Sequence, residues 1–263
     1  MSHISIHDVG KVFHSGGQEV CALEAIDLEI RQGEFVCLLG PSGCGKSTLL
    51  NAVAGFSPPT TGTITVDGSI ITDPGPDRGM VFQEYALFPW MTVEQNIAFG
   101  LQIKKEPKLT IQEKVNGLLA MLHLEEFRKR YPKDLSGGMR QRVAIARVLA
   151  IDSPILLMDE PFGALDALTR RNLQDELLRL WTELEKTILF VTHSIEEALY
   201  LADRTVVMTY RPGTLKRDLA IDLPRPRDVA SPAFNALKKE LSALLMEEQS
   251  RHNQDEFRGA AVD

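Results

Sequence analysis

The segment Gly40-Pro-Ser-Gly-Cys-Gly-Lys46-Ser47-Thr48 decides the fold of this chain. The apolar residues 35–39, typical of a buried strand, precede it, and residues 48–54, which favour a helix, follow it. A strand, a glycine-rich loop and a helix in this order are the context that a phosphate-binding loop requires. The glycines allow consecutive backbone N–H groups to face a phosphate, and the helix N-terminus adds partial positive charge. The sequence therefore predicts a site for a nucleoside triphosphate.

Side chains within this loop suggest separate roles. Lys46 could reach the β- and γ-phosphates, and the Ser47 hydroxyl could hold Mg²⁺. Cys44 lies near Lys46 and near the helix N-terminus, both of which favour the thiolate form of a cysteine. We therefore predict that Cys44 reacts with thiol reagents faster than Cys37 and that bound nucleotide protects it. Alternatively, packing under the loop shields Cys44. The candidate nucleotide-binding residues of the loop are Gly40, Ser42, Gly43, Cys44, Gly45, Lys46, Ser47 and Thr48.

The composition is that of an ordinary globular protein, with 44% hydrophobic and 25% charged residues. The net charge of -7 argues against a nucleic-acid groove. No apolar run reaches the roughly 18 residues that a membrane-spanning helix needs, and the N-terminus lacks the features of a secretory signal. Three cysteines without metal-ligand spacing indicate reduced thiols in a cytosol.

Strand-like and helix-like segments alternate along much of the chain. This alternation predicts an α/β fold, a phosphate-loop nucleoside-triphosphatase core whose mainly parallel sheet is wrapped by helices. We expect an antiparallel β part near the N-terminus and an inserted helical subdomain over about residues 84–150. The core would then consist of residues 1–83 and 151–225, and the single domain would cover residues 1–246.

The C-terminal part shows one further helix. Ser231-Pro232 is typical of a helix start, and four apolar residues follow at helical spacing: Phe234, Leu237, Leu241 and Leu244. We therefore expect a closing helix over about residues 231–246. Residues 247–263 are polar with mixed charge, and we expect them to form a flexible tail.

A second motif is Ile155-Leu-Leu-Met-Asp159-Glu160-Pro161, an apolar run that ends in two acids. Asp159 could steady Mg²⁺ through a water molecule, and Glu160 could polarise the water that attacks the γ-phosphate. Alternatively, the two acids cap a following helix. Their occurrence together with the phosphate loop favours the catalytic interpretation.

A third motif is Leu135-Ser136-Gly137-Gly138-Met139-Arg140-Gln141-Arg142, which would build a second anion-binding helix terminus. One nucleotide in one subunit does not need two such termini. The segment resembles the LSGGQ signature of the ATP-binding-cassette ATPases, with Met139 in place of the usual Gln. This resemblance covers roughly residues 3–225.

The resemblance implies roles for four more residues. Gln83 resembles the glutamine that touches Mg²⁺ and senses the γ-phosphate, and Asp166 resembles the acid of the loop that crosses between two subunits. His193 resembles the switch histidine that contacts the γ-phosphate. Phe13 stands where the family has an aromatic residue that stacks on adenine. Alternatively, Gln83 is a surface turn residue, His193 is structural and Phe13 belongs to the core.

A mechanism is also implied by the resemblance. Two copies of the chain would pair head to tail, so that each loop-bound ATP meets Ser136–Gly138 of the other copy. Lys46, Mg²⁺ and the signature helix would neutralise charge on the γ-phosphate. The catalytic residues would be Glu160, His193 and Lys46, and the metal would be held by Ser47, Gln83 and Asp159.

The finer resemblance is to the ATPases of nitrate, sulfonate, taurine and bicarbonate importers. It rests on Asp77-Arg-Gly-Met-Val-Phe-Gln83, on Ala86-Leu-Phe-Pro-Trp90 and on Asp159-Glu-Pro-Phe-Gly-Ala-Leu-Asp166. In transporters the region after Gln83 lines the groove that receives a permease helix. We therefore expect an ATPase that drives import of a small anion through a separate permease, at the cytoplasmic face of the cell membrane.

The expected partners are a second copy of the chain, the permease and, indirectly, a periplasmic or extracellular substrate-binding protein. No nucleic acid is expected among them. The alternatives are a cassette ATPase that acts on nucleic acid and a small-molecule kinase. The kinase reading leaves Ser136–Arg142 and His193 unexplained.

Overall fold

The computed structural model describes residues 4–15 and 18–259, and for residues 15, 18 and 254–259 it describes the backbone alone. The strands are β1 (Ile4–Ser15), β2 (Gln18–Ile30), β3 (Phe35–Leu39), β4 (Thr61–Val66), β5 (Ser69–Ile70), β6 (Arg78–Val81), β7 (Ile155–Asp159), β8 (Thr187–Thr192), β9 (Arg204–Met208) and β10 (Leu215–Ala220). The helices are α1 (Lys46–Ala54), α2 (Val93–Ile103), α3 (Lys108–Met121), α4 (Gly137–Ala150), α5 (Ala167–Leu184), α6 (Ile195–Leu201) and α7 (Pro232–Gly259). Within these described ranges, no helix combines the length and the apolarity needed to cross a lipid bilayer.

The chain divides into two compact units, and the α/β class that the alternating segments predicted is confirmed. The first unit consists of Met1–Pro74 and Thr187–Asp263, and the second consists of Gly75–Lys186. The second unit is longer than the helical segment expected from the sequence, because β6 and β7 pair with each other and α4 packs on β6.

The first unit contains two kinds of strand pairing. β1 pairs antiparallel with β2 on one side and with β4 on the other, which gives the antiparallel part that was expected near the N-terminus. β3 pairs in parallel with β8 and β9, and β10 adds an antiparallel edge to β9. Every residue of β3 and β8 is buried. Continuous apolar runs of this kind are typical of parallel strands covered on both faces.

Strand register in the first unit determines where its functional loops lie. Leu39, the last residue of β3, pairs with Thr192, the last residue of β8. The loop that begins at Gly40 and the loop that contains His193 therefore leave the same end of the parallel strands. Ligands of open α/β sheets bind outside this carboxyl end.

In the second unit, β6 and β7 form a parallel pair in which Val81 lies beside Met158. Residues 82–83 and residues 159–160 therefore lie at the same end of this pair. Helix α4 approaches β6 closely, since a Cβ on Gly79 would lie 2.1 Å from Val148 Cγ1. Thr92 caps the N-terminus of helix α2, because its hydroxyl accepts from the Gln95 N–H in a capping box.

Helix α7 extends to Gly259, well beyond the end near residue 246 that the sequence led us to expect. The flexible tail expected from residue 247 is thus helical through residue 259, and residues 260–263 lie outside the described residues. Glu248 explains the extension, because its buried carboxylate accepts from the Tyr210 N–H at 2.9 Å and from Lys216 Nζ at 2.6 Å. We expected the helix to end near residue 246 because apolar residues no longer recur at helical spacing beyond it. The hydrogen bonds that Glu248 accepts from the hairpin of β9 and β10 stabilise the helix there instead.

Candidate functional site

The phosphate loop follows the buried strand β3 and ends where α1 begins. Gly43 and Gly45 adopt φ values of 74° and 94°, which other residues rarely adopt. A Cβ on Gly45 would also lie 2.7 Å from Leu23 Cδ2 and 2.8 Å from the Ala22 carbonyl. The turn into α1 therefore requires glycine at residue 45 for both its backbone angle and its close packing.

Lys46 lies within the loop that precedes it, with only 4% of its surface exposed. Its Nζ donates to the carbonyl oxygens of Gly40 at 2.9 Å and Pro41 at 2.8 Å, and it contacts Cys44 Sγ at 3.8 Å. Two of its three protons are thus held by good acceptors, whereas sulfur is a weak one. Of the three contacts of Lys46 Nζ, the one with Cys44 Sγ therefore costs the least free energy to exchange for a phosphate oxygen.

The structure corrects the expectation of a reactive Cys44. The side chain is fully buried under the loop, where its Sγ occupies the space that a Cβ on Gly40 would need. Burial raises the pKa of the Cys44 thiol, and the nearby Lys46 ammonium offsets only part of this effect. Burial likewise raises the pKa of Cys37 well above its usual value. Only the thiolate attacks a maleimide, so both cysteines are protected.

We therefore expect a maleimide to label Cys21 first, because Cys21 is the exposed cysteine. Mass spectrometry of briefly treated native protein should show one label on Cys21, and a Cys21→Ser variant should label slowly. Denatured protein, in which all three thiols are accessible, provides the control. Rapid labelling of Cys44 in the native protein would contradict the packing described here.

His193 and the phosphate loop line one pocket of about 350 Å³. His193 is exposed and directly follows β8, while Ser194 caps the N-terminus of α6 with its hydroxyl. The opposite wall belongs to α7. The lining residues are Gly40, Pro41, Ser42, His193, Ile195, Ser242, Leu245, Met246 and Gln249. The first unit thus brings together the glycine-rich loop and the histidine that the sequence singled out.

The helix predicted over residues 231–246 includes Ser242, Leu245 and Met246 of this wall, whereas Gln249 lies in residues 247–263, which the sequence predicted as a flexible tail. A signal was present, since Leu241, Glu248 and His252 continue the helical spacing of the preceding apolar residues. Glu248 is fully buried, and the His252 ring meets the Tyr210 ring edge-on at 4.7 Å. Because the buried residue at this position of the helix, Glu248, is polar, the helical spacing does not appear as a run of apolar residues.

Phe13 lies on β1 with 43% of its surface exposed. Lys11 Nζ lies 5.3 Å from the centre of its ring. The alternative that Phe13 belongs to the core is therefore wrong. An exposed aromatic ring at this position remains available for stacking, and its contact with adenine stays a prediction.

In the second unit, β7 carries the acid pair to its carboxyl end. Asp159 and Glu160 are half-buried, and the following Phe162 is fully buried. Glu160 adopts a φ of 42°, and its carbonyl accepts from the Gly163 N–H at 3.2 Å. A left-handed conformation in a residue other than glycine costs free energy and is concentrated at functional sites. The turn thus fixes the direction in which Glu160 leaves the strand.

The signature segment forms the N-terminus of α4. The Ser136 hydroxyl caps this helix by accepting from the Met139 N–H at 3.3 Å. A Cβ on Gly138 would lie 2.5 Å from Thr169 Cγ2, so α4 and α5 approach closely at their starts. Two helix N-termini lie side by side here, and such termini attract anions.

Asp166 caps the second of these helices by accepting from the Thr169 N–H at 3.0 Å. This backbone hydrogen bond lowers the pKa of Asp166, and a hydrogen bond from the Thr169 side chain lowers it further by a smaller amount. Asp166 is exposed and therefore ionised under ordinary conditions. The second unit thus places an exposed carboxylate beside the signature segment.

Gln83 is exposed just after β6, and the apolar segment that follows it is held on α4. Arg147 donates to the carbonyls of Ala86 at 2.7 Å and Tyr85 at 3.3 Å. Phe88 is half-buried against Phe99, whose ring centre is 4.5 Å away. Trp90, in contrast, is 69% exposed. The segment therefore has both an anchored and an exposed part.

Residues predicted to share one site fall in both units. The first unit contains Phe13, residues 40–48 and His193, and the second contains Gln83, Ser136–Gly138, Asp159, Glu160 and Asp166. Within the described residues there is no cluster of three acidic, histidine or cysteine side chains that could hold a metal alone. Mg²⁺ does not need one, since it is bound through one or two carboxylates together with substrate phosphates and water.

Comparison with known proteins identifies related sequences over nearly the whole chain. A family model described as ABC transporter matches residues 23–163. An uncharacterized ABC transporter ATP-binding protein of Methanocaldococcus jannaschii is 50% identical over 93% of this chain and 92% of its own length. The nitrate import ATP-binding protein NrtD of Synechocystis is 46% identical, over 92% of this chain and 95% of its own. The aliphatic sulfonates import ATP-binding protein SsuB of Bacillus cereus is also 46% identical, over 90% of this chain and 94% of its own length.

Solved structures agree with this relationship. A dimeric post-hydrolysis state of the ATP-binding cassette MJ0796, bound to ADP and Pi, superposes with a TM-score of 0.74 at 34% identity. The match covers 83% of this chain and 98% of that one. A second dimeric structure of MJ0796, described as a bacterial ABC transporter cassette, gives the same TM-score at 35% identity. The chain described here belongs to the ABC transporter family and is an ATPase of its import branch.

Proposed function

We propose that this chain is the motor subunit of an import system, in which it hydrolyses ATP to drive uptake of a small anion through a separate permease. The observation that carries the proposal is the pocket shared by the phosphate loop and His193. Two of its lining residues, Gly40 and Pro41, accept hydrogen bonds from the buried Lys46 ammonium. The printed functions of the nitrate and sulfonate import relatives support an anionic substrate of that class.

In this proposal the phosphates of ATP lie along the loop of residues 40–48. Lys46 exchanges its weak contact with Cys44 Sγ for a phosphate oxygen, and His193 contacts the γ-phosphate from the other side of the pocket. Phe13 stacks on adenine. Glu160 accepts a proton from the attacking water, the usual role of a general base.

The donor set fits a magnesium ion. Ser47 is exposed at the start of α1, Asp159 is half-buried at the end of β7 and Gln83 is exposed after β6. These hydroxyl, carboxylate and amide oxygens are the ligand types that Mg²⁺ takes together with phosphate oxygens. When bound, the ion would neutralise charge on the β- and γ-phosphates.

Two copies of the chain would complete the site. At the N-terminus of α4, Ser136 is exposed, Gly137 is half-buried and Gly138 is buried. The phosphates that bind to the loop of the same copy do not require this second helix terminus. We infer that this terminus meets the γ-phosphate of ATP on a second copy, in a two-fold dimer. Both solved structures of the relative MJ0796 are described as dimeric, which supports this arrangement.

Trp90 and its neighbours would receive the permease. An exposed tryptophan on a segment anchored by Arg147 suits docking of an apolar helix. The subunit would then act at the cytoplasmic face of the membrane, peripherally, and a substrate-binding protein would deliver the anion to the permease. Nucleic acid has no place in this proposal.

The proposal is tested by replacing Trp90 with alanine. We expect the melting temperature and the ATPase rate of the isolated subunit to stay near those of the wild type, because the side chain is exposed. Co-purification with the permease and anion uptake should fall sharply. Phe88→Ala would be a less selective variant, since Phe88 packs on Phe99.

Leu109→Ala is the matched control, since Leu109 is a 68% exposed apolar residue of the same unit. It should preserve assembly and uptake. Undiminished permease binding by folded Trp90→Ala protein would rule out this docking surface.

A further inference from the structure

A buried carboxylate lies just beyond the loop that contains His193. Glu197, in the first turn of α6, has only 6% of its surface exposed. Burying an ionised carboxylate is costly unless hydrogen bonds compensate it. The Thr192 hydroxyl donates to Glu197 Oε2 at 2.6 Å, a short distance that is typical of a bond to a charged acceptor. The chain therefore keeps this acid buried with a specific partner.

Both neighbours of His193 are hydrogen-bonded to Glu197. The Thr192 Oγ that donates to the carboxylate also accepts from the Ser194 N–H at 3.0 Å. The Ser194 Oγ in turn accepts from the Glu197 N–H at 3.3 Å. The residues before and after His193 are thus tied to the side chain and to the backbone of one glutamate.

This arrangement matters because the His193 side chain is exposed. An exposed ring is not enclosed by core packing on all sides, so the backbone that carries it contributes to its position. Thr192 and Glu197 are both buried and cannot shift without disturbing β8 or α6. The network therefore transmits the rigidity of these elements to the loop at the phosphate pocket.

We propose that Glu197 is a positioning residue for His193, which it holds at the phosphate pocket through Thr192 and Ser194. This inference rests on the proposed contact of His193 with the γ-phosphate. Displacement of a catalytic group by about 1 Å can cost up to roughly 10²-fold in rate. Glu197 itself is not among the residues that line the pocket.

The test compares Glu197→Ala and Thr192→Val with the wild type in ATP hydrolysis. Each variant removes one end of the same hydrogen bond, and Thr192→Val keeps the side-chain shape. We expect kcat to fall about 10-fold in both, while KM for ATP stays within about 2-fold, because the phosphate loop is untouched. Glu197→Gln should restore most of kcat, since its amide oxygen can still accept from Thr192.

Glu196→Ala is the matched control, because Glu196 lies on the same helix, is exposed and pairs with Lys238 at the surface. This variant should leave kcat and the KM for ATP unchanged. The inference is overturned if Glu197→Ala matches this control, if Glu197→Gln fails to restore kcat, or if activity falls only in proportion to the unfolded fraction.

A second readout separates this inference from the proposed role of His193. Hydrogen exchange of the Ser194 amide, which donates to Thr192 Oγ, should accelerate in Glu197→Ala and in Thr192→Val but not in Glu196→Ala. Unchanged exchange in the first two variants would refute the positioning network. Full activity of His193→Ala would instead refute the contact with the γ-phosphate, and would leave the loss of Ser194 protection intact.

Discussion

Replacement of Glu160 by glutamine is expected to lower ATP turnover by ~10²-fold or more, the range for loss of a general base. A glutamine has nearly the same shape but cannot accept a proton from the attacking water. ATP binding should persist, because the phosphate loop and Lys46 lie in the other unit of the chain. The measurement is the steady-state rate of phosphate release, together with an equilibrium titration with ATP.

Glu126→Gln is the control for this experiment, since Glu126 is an exposed acid of the same unit. Its turnover should equal that of the wild type. Near-normal turnover by the Glu160→Gln protein would mean that this half-buried acid after β7 has a different role. It would favour the alternative that Asp159 and Glu160 cap a following helix.

Replacement of Lys46 by alanine should act on a different quantity, the affinity for ATP. Hydrogen bonds to charged groups contribute about 1.5–3 kcal/mol, so Kd should rise roughly 10- to 150-fold. The variant also leaves the Gly40 and Pro41 carbonyls without their donor. The melting temperature should therefore be measured beside the ATP titration, so that loss of folded protein is not mistaken for loss of binding.

Lys238→Ala provides the comparison, because that ammonium pairs with Glu196 at the surface. It should bind ATP as the wild type does. Tight ATP binding by folded Lys46→Ala protein would contradict the interpretation of residues 40–48 as a phosphate loop.

Local patterns were sufficient to predict the parts of the fold that depend on local physics. The apolar residues 35–39 form a fully buried strand, and the glycine-rich segment that follows turns into a helix at Lys46. Glycine conformation, apolar runs and helix caps act over a few residues, so a sequence displays them directly. The positions of His193 after β8 and Ser136 before α4 follow from the same kind of signal.

Features that depend on distant contacts could not be predicted in this way. Cys44 has neighbours that favour a thiolate, yet the loop folds over its side chain and burial prevails. Helix α7 continues past residue 246 because Glu248 meets Lys216 and Tyr210, which lie more than thirty residues earlier in the chain. The exposure of Phe13 likewise depends on tertiary packing. The helical spacing of Leu241, Glu248 and His252 is visible in the sequence, but the distant partners that decide these outcomes are not.

The central claim is that ATP holds two copies of this chain together and that its hydrolysis releases them. Sedimentation velocity of the Glu160→Gln protein, with and without Mg²⁺ and ATP, tests this claim most directly, because the bound nucleotide is no longer cleared. We predict a monomer without nucleotide and about twice that mass with ATP, whereas a Glu160→Gln, Ser136→Arg double variant should bind ATP and stay monomeric. A Glu160→Gln protein that is saturated with ATP and remains a monomer would contradict the account.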